Sequence, residues 1–165
     1  NYYLPNTRSS IFNAKLYLTP APLLMASEDI VKAMEQEPSV KQIRHMATLA
    51  QMSIVGIGGV DSNATLLTNG TLNHSDVLLL SMQGAVGDML CHFIDKDGNV
   101  IQSSLERRLM STPLEQLKEM SNSIGVAGGS TKSEAILAAL KGNYLDVLIT
   151  DETTAINVLR LKNQE

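Results

Sequence analysis

A chain of 165 residues, 44% of them hydrophobic, is long enough to bury one sizeable core, and with no Trp and only 2 Phe that core must rest on aliphatic residues and 8 adaptable Met. A formal charge of −4 and a pI near 5.4 argue against nucleic-acid binding by this chain itself, because such binding rests on Lys and Arg neutralising phosphates. The single Cys excludes an internal disulfide, no Cys/His group has zinc spacing, and no apolar run approaches the ~18 residues of a membrane span; with no signal peptide evident, these features predict a cytoplasmic protein.

The elements alternate strand and helix along the chain. Tyr2, Tyr3 and Phe12 lie in an opening stretch with no capped element, which predicts an exposed apolar surface or sheet edge there and a fragment of a longer protein. The run Leu16-Tyr17-Leu18, stopped by Pro20 and Pro22, reads as a first strand. Ser27 caps a helix with Glu28 and Asp29 in its first turn and Ile30, Val31 and Met34 on its apolar face, and Pro38 ends it. Val40, Ile43, Met46, Ala47 and Ala50 stripe a second helix. The segment SIVGIGG is a buried-strand pattern ending in glycines. Val77-Leu78-Leu79-Leu80 suits strand or helix, and the caps Asn73 and Ser75 favour helix.

Farther on, Asp97-Gly98 between His92-Phe93-Ile94 and Val100-Ile101 signals a β-hairpin. Pro113 opens a short helix. SIGVAGGSTKSEAILAALKG reads as strand, glycine turn and helix, and Val147–Ile149 reads as a strand before caps at Thr150 and Asp151 and a helix to about Lys162. Four parallel strands, around Leu16, Ile54, Gly125 and Leu148, with helices on both faces and a small hairpin make one α/β domain.

Ligands of open α/β sheets bind outside the carboxyl ends of the strands. Four turns fall there: TPAP, GIGGVDSNA, AGGSTK and TDETT; a fifth loop, MQGAVGDML, precedes the hairpin. AGGSTK offers backbone N–H groups, a helix dipole and Lys132, the physics of an anion site, although it lacks Walker A spacing; a corner capped by Ser130 or Thr131 is the plainer alternative. Asp88 in GAVGDML suits a hydroxyl-binding carboxylate, a general base or a cap. Asp61 and Asn63 are hydroxyl-binding groups or an ordinary polar turn. His45, His74 and His92 form no visible dyad, and Cys91, with no basic neighbour, reads as a small hydrophobe.

Taken in order, TPAPLLMASEDIVKAM, VGIGGV, QGAVGDMLCHFIDKDGNVI, IGVAGGSTKSEAILAALKG and VLITDETTAINVL resemble the effector-binding domain of the SorC family of bacterial sugar-responsive transcriptional regulators, from about Tyr3 to Leu161. The resemblance implies a three-layer α/β sandwich with a mostly parallel sheet, similar to sugar-phosphate isomerases, glucosamine-phosphate deaminases and CoA transferases. It implies that residues 1–165 are a partial effector-binding domain, whose first strands and N-terminal DNA-binding segment lie outside this chain, and that the whole regulator is a tetramer. The implied effector is a phosphorylated sugar or a furanone-type ligand, with no cofactor and no metal. Carried over residue by residue, Asp88 meets ligand hydroxyls and Lys132 the phosphate or a sugar oxygen. Gly58, Gly84, Gly87, Gly128 and Gly129 shape the pocket, and Asp61 and Asn63 lie in a variable loop beside it. Against this sensor stand an isomerase or deaminase using Asp88 as general base, and a structural oligomerisation module that binds no small anion.

Overall fold

The computed structural model describes residues 11–60, 66 and 70–164 of the chain. Helix α1 (Glu28–Gln36) starts where Ser27 Oγ accepts the Ile30 N–H, and α2 (Pro38–Thr48) follows after Glu37 alone. Pro38 thus opens a helix as well as closing one: at the first position its missing N–H leaves no hydrogen bond unmade. Strand β1 (Ser53–Gly59) comes next, then α3 (His74–Met82), β2 (Ala85–Met89) and β3 (His92–Asp95). A 3-10 turn (Glu106–Arg108) and α4 (Leu114–Glu119) lead to β4 (Ser123–Val126). A second 3-10 turn (Ser130–Lys132) enters α5 (Ser133–Lys141), and β5 (Val147–Ile149) and α6 (Glu152–Lys162) complete the chain. The ambiguous run at Val77 is helical, because Asn73 and Asp76 exchange side-chain and backbone hydrogen bonds in a capping box.

The five strands form one sheet in the order β3-β2-β1-β4-β5. Strands β1, β4 and β5 are parallel, with Val55 opposite Gly125 and Gly125 opposite Leu148. Strands β2 and β3 are antiparallel, so the sheet is mixed. Two expectations need correction. Residues 14–18 form no strand; Tyr17 and Leu18 are exposed, so this run lacks the burial that a central parallel strand requires. And GAVGDM is not a loop but β2, whose tight turn into β3 is Leu90-Cys91, with φ of 50° and 69°. Both residues are left-handed, as a two-residue hairpin turn demands, yet neither is the Gly or Asn that usually signals one. The expected Asp97-Gly98 reversal survives in reduced form, as a single bridge from Ile94 to Val100.

Alternation along the strands divides the sheet into two faces. One carries Val55, Ile57, Met89 and Ile94 and packs on α5 and α6 through Ile136, Ala139 and Val158. Gly87 lies on this side because a Cβ there would collide with Ala135 of α5. Among the described residues the opposite face is covered only at the hairpin, where Phe93 and Ala85 meet Leu80 of α3, Leu72 and Leu105. On the parallel half that face is open: Ile54, Val126, Val147 and Ile149 are 70, 44, 47 and 54% exposed. Among the described residues, helices therefore cover both faces of the hairpin half alone. Of the residues where an apolar surface was expected, Phe12 is exposed, and Tyr2 and Tyr3 lie outside the described residues. Among the described residues no helix is long and apolar enough to cross a membrane.

Ile136 is fully buried at the centre of the larger cluster. Ile136→Ala is expected to lower unfolding free energy by about 2–5 kcal/mol, the scale for a core cavity, read from the urea midpoint.

Candidate functional site

Three strand ends converge where the parallel strands terminate. β1 ends in Gly58-Gly59, β4 runs into Gly128-Gly129 and the 3-10 turn, and β5 runs into Thr150-Asp151 and α6. The 3-10 turn packs against both β1 and α6.

Asp88 belongs to this convergence through β2. It pairs with Gly58 across the sheet, and its carboxylate fills the space that a Cβ on Gly58 would take. Gly58 is therefore a seat for the carboxylate. Burial pushes the Asp88 carboxyl above the ordinary carboxylate range, and the Cys91 N–H, the Lys132 charge and the His92 charge oppose that rise. The turn that carries Lys132 packs against β1, whose Gly58 pairs with Asp88.

The left-handed Leu90-Cys91 turn places the Cys91 N–H on the Asp88 carboxylate. The Cys91 thiol lines a small apolar hollow with Leu72, Leu105 and Leu109. Burial, then the Asp88 charge, pushes it up to about 11, so it remains a thiol at neutral pH and no nucleophile. His92 is buried, with Nδ1 2.7 Å from Glu106 Oε1 and Nε2 2.9 Å from the Thr112 carbonyl oxygen. Sequence reading gave His92 no role, and no local signal exists: Glu106 is 14 residues away.

The glycine turn differs from the free anion nest that the sequence invites. Neither Ser130 nor Thr131 caps α5; the Ser133 hydroxyl donates to the Ser130 carbonyl, and the Lys132 N–H donates to the Gly129 carbonyl. The Gly129 N–H is already taken, by Asp151 Oδ2 at 3.0 Å and Thr154 Oγ1 at 2.9 Å. Asp151 is at once the N-cap of α6, its Oδ1 accepting the Thr154 N–H at 2.9 Å. The Thr154 hydroxyl, then the two amides, hold the Asp151 carboxyl down to about 2. Asp151 appeared in the sequence only as a cap; its second role depends on β4 and β5 lying side by side.

The remaining candidates divide. Gly128 fits under the Asp151 carboxylate, and Gly129 has the positive φ, 105°, that its position demands. Gly84 turns the chain from α3 into β2 with φ 91°, and Gly87 faces α5 on the side away from Asp88. Asp61 and Asn63 lie outside the described residues. Among the described residues no group of three or more His, Cys, Asp or Glu side chains is placed to hold a metal ion.

Comparison with known proteins places this geometry in a family. Residues 8–160 match the family described as "Putative sugar-binding domain". The "Transcriptional regulator LsrR" of Escherichia coli (strain K12) is 40% identical over 146 residues, covering 87% of this chain and 46% of that protein. The crystal structure of a transcriptional regulator from Streptococcus pneumoniae TIGR4 superimposes with a TM-score of 0.89 at 25% identity, over 98% of this chain and 62% of that one. The full-length sorbitol operon regulator SorC from Klebsiella pneumoniae gives a TM-score of 0.81 at 25% identity, over 92% of this chain and 49% of that one. The chain thus spans about half the length of the curated relatives it matches.

The Lys132 charge opposes the rise at Asp88, so Lys132→Ala removes a charge that holds the Asp88 proton off. The carboxyl titration of Asp88, followed by carbon NMR, is expected to move to higher pH in that variant; an unmoved midpoint would place the two groups apart.

Proposed function

The chain belongs to the sugar-binding domain family, and from that premise we propose that it is the effector-sensing domain of a bacterial transcriptional regulator, binding a phosphorylated sugar or sugar-like ligand at the ends of β1, β4 and β5. The observation that carries this reading is the pairing of opposite charges at one sheet end: Asp88 seated on Gly58, with the Lys132 charge acting on it. A phosphorylated polyol has two chemically distinct ends. Its hydroxyls donate to a carboxylate, and its phosphate needs a cation. Asp88 serves the first and Lys132 the second. Binding then shifts an equilibrium between two arrangements of the whole regulator in proportion to the ligand's differential affinity for them. In this reading residues 1–165 are one part of the effector-binding domain, and DNA contact and assembly into a homo-oligomer fall to a longer protein that works in the cytoplasm. The acidic balance of this chain agrees with DNA contact lying elsewhere.

Sensing is favoured over isomerase or deaminase chemistry by the state of the second titratable group. Such reactions need a proton carrier besides Asp88 that is free to reach the substrate. His92, whose charge acts on Asp88, has both ring nitrogens engaged, one by Glu106 and one by the Thr112 carbonyl.

Calorimetric titration of the intact protein with ribose phosphate, fructose phosphate, a phosphorylated furanone and their unphosphorylated forms tests the reading. Lys132→Ala is expected to weaken the best phosphorylated binder by about 1.5–3 kcal/mol, the scale of a charge-assisted hydrogen bond, and to leave its unphosphorylated form nearly unchanged. Asp88→Ala is expected to weaken both forms. Turnover of any of these compounds would favour the enzyme instead.

A further inference from the structure

We propose that Asp151 and Thr154 form a clamp that positions Lys132 for the ligand's phosphate, so that a carboxylate beside an anion site strengthens anion binding. The inference rests on the effector reading above. Its warrant is a chain of contacts across two strand ends. Asp151 Oδ2 accepts the Gly129 N–H at 3.0 Å and the Thr154 hydroxyl at 2.6 Å; Thr154 Oγ1 also accepts the Gly129 N–H, at 2.9 Å. The carbonyl of the same Gly129 then accepts the Lys132 N–H at 2.9 Å. Gly129 has φ 105° and no side chain to hold it, and Thr154 is fully buried. Without the clamp nothing on the described residues' side-chain hydrogen bonds would fix Gly129, and the backbone of Lys132 hangs from it.

Two ideas about Asp151 predict opposite signs. If its charge dominates, removing it leaves the site more positive and an anion binds more tightly. If its geometry dominates, removing it loosens the turn and the anion binds more weakly. The clamp commits to the second. A third idea, that Asp151 is only the N-cap of α6, predicts no change when a good capping residue replaces it.

Asp151→Asn separates these ideas, because Asn caps helices as well as Asp does but has one oxygen where Asp has two. It retains an acceptor for the Thr154 N–H while losing the second oxygen, which leaves Thr154 Oγ1 alone to accept the Gly129 N–H. Thr154→Val removes the hydroxyl from the clamp, and Thr154→Ser restores it. The intact wild type and these three variants are titrated with the best-binding sugar phosphate of the panel above and with its unphosphorylated form. Amide hydrogen exchange at Gly129 and Lys132 is measured without ligand. Asp151→Asn and Thr154→Val are expected to speed exchange at both amides and to weaken the phosphorylated ligand about tenfold, the loss of one hydrogen bond to a charged group. The unphosphorylated form should change less than about twofold on the same scale, and Thr154→Ser should behave like wild type. Tighter binding in Asp151→Asn, or faster exchange with unchanged affinity, would overturn the clamp. A wild type that binds none of the panel would contradict the effector reading instead, a result distinct from either.

Discussion

A carboxylate set into a β-sheet must be compensated, and much of this structure is arranged around the one on Asp88. Desolvation favours its protonated form, so the ionised form persists only where donors and positive charge surround it. Gly58 clears the space, because any side chain on the neighbouring strand would collide with the carboxylate. The Leu90-Cys91 turn supplies an amide at the cost of two left-handed residues. Lys132 supplies positive charge. In the proposed reading, a ligand hydroxyl entering this space meets an acceptor whose geometry is already fixed.

The opposite end of the site works by a different device. A helix N-terminus with a preceding glycine turn normally leaves amides for an anion. Here the protein's own Asp151 occupies the Gly129 amide and ties the entry of α5 to the first turn of α6. In the proposed reading the cation on Lys132, more than a free nest of amides, is what the turn presents. The two helices share one corner, and α5 and α6 pack against each other beneath it.

Local chemistry made the outer strands and helices legible. The strand at Val147–Ile149 and the helix ending at Lys162 lie where the sequence places them, because capping residues flank both. Strand β2 was hidden for the converse reason. Gly84 and Gly87 resemble turn residues, but Gly87 is small to admit Ala135, and the true turn carries Leu and Cys. The run at Leu16 had strand composition without a partner to bury it. Asp88 and Lys132 were readable as candidates from their turns. The bond of His92 to Glu106 and the bonds of Gly129 to Asp151 and Thr154 were not, since each joins residues distant in sequence that only the fold brings together.

The central claim is that one sugar phosphate bridges the two ends, phosphate toward Lys132 and hydroxyls toward Asp88. A crystal structure of the intact protein with a bound sugar phosphate tests it most directly. The account predicts a phosphate oxygen within ~3 Å of Lys132 Nζ and a sugar hydroxyl within hydrogen-bond distance of the Asp88 carboxylate. A phosphate bound away from Lys132, with Asp88 still facing only Cys91 and its own protein neighbours, would contradict it.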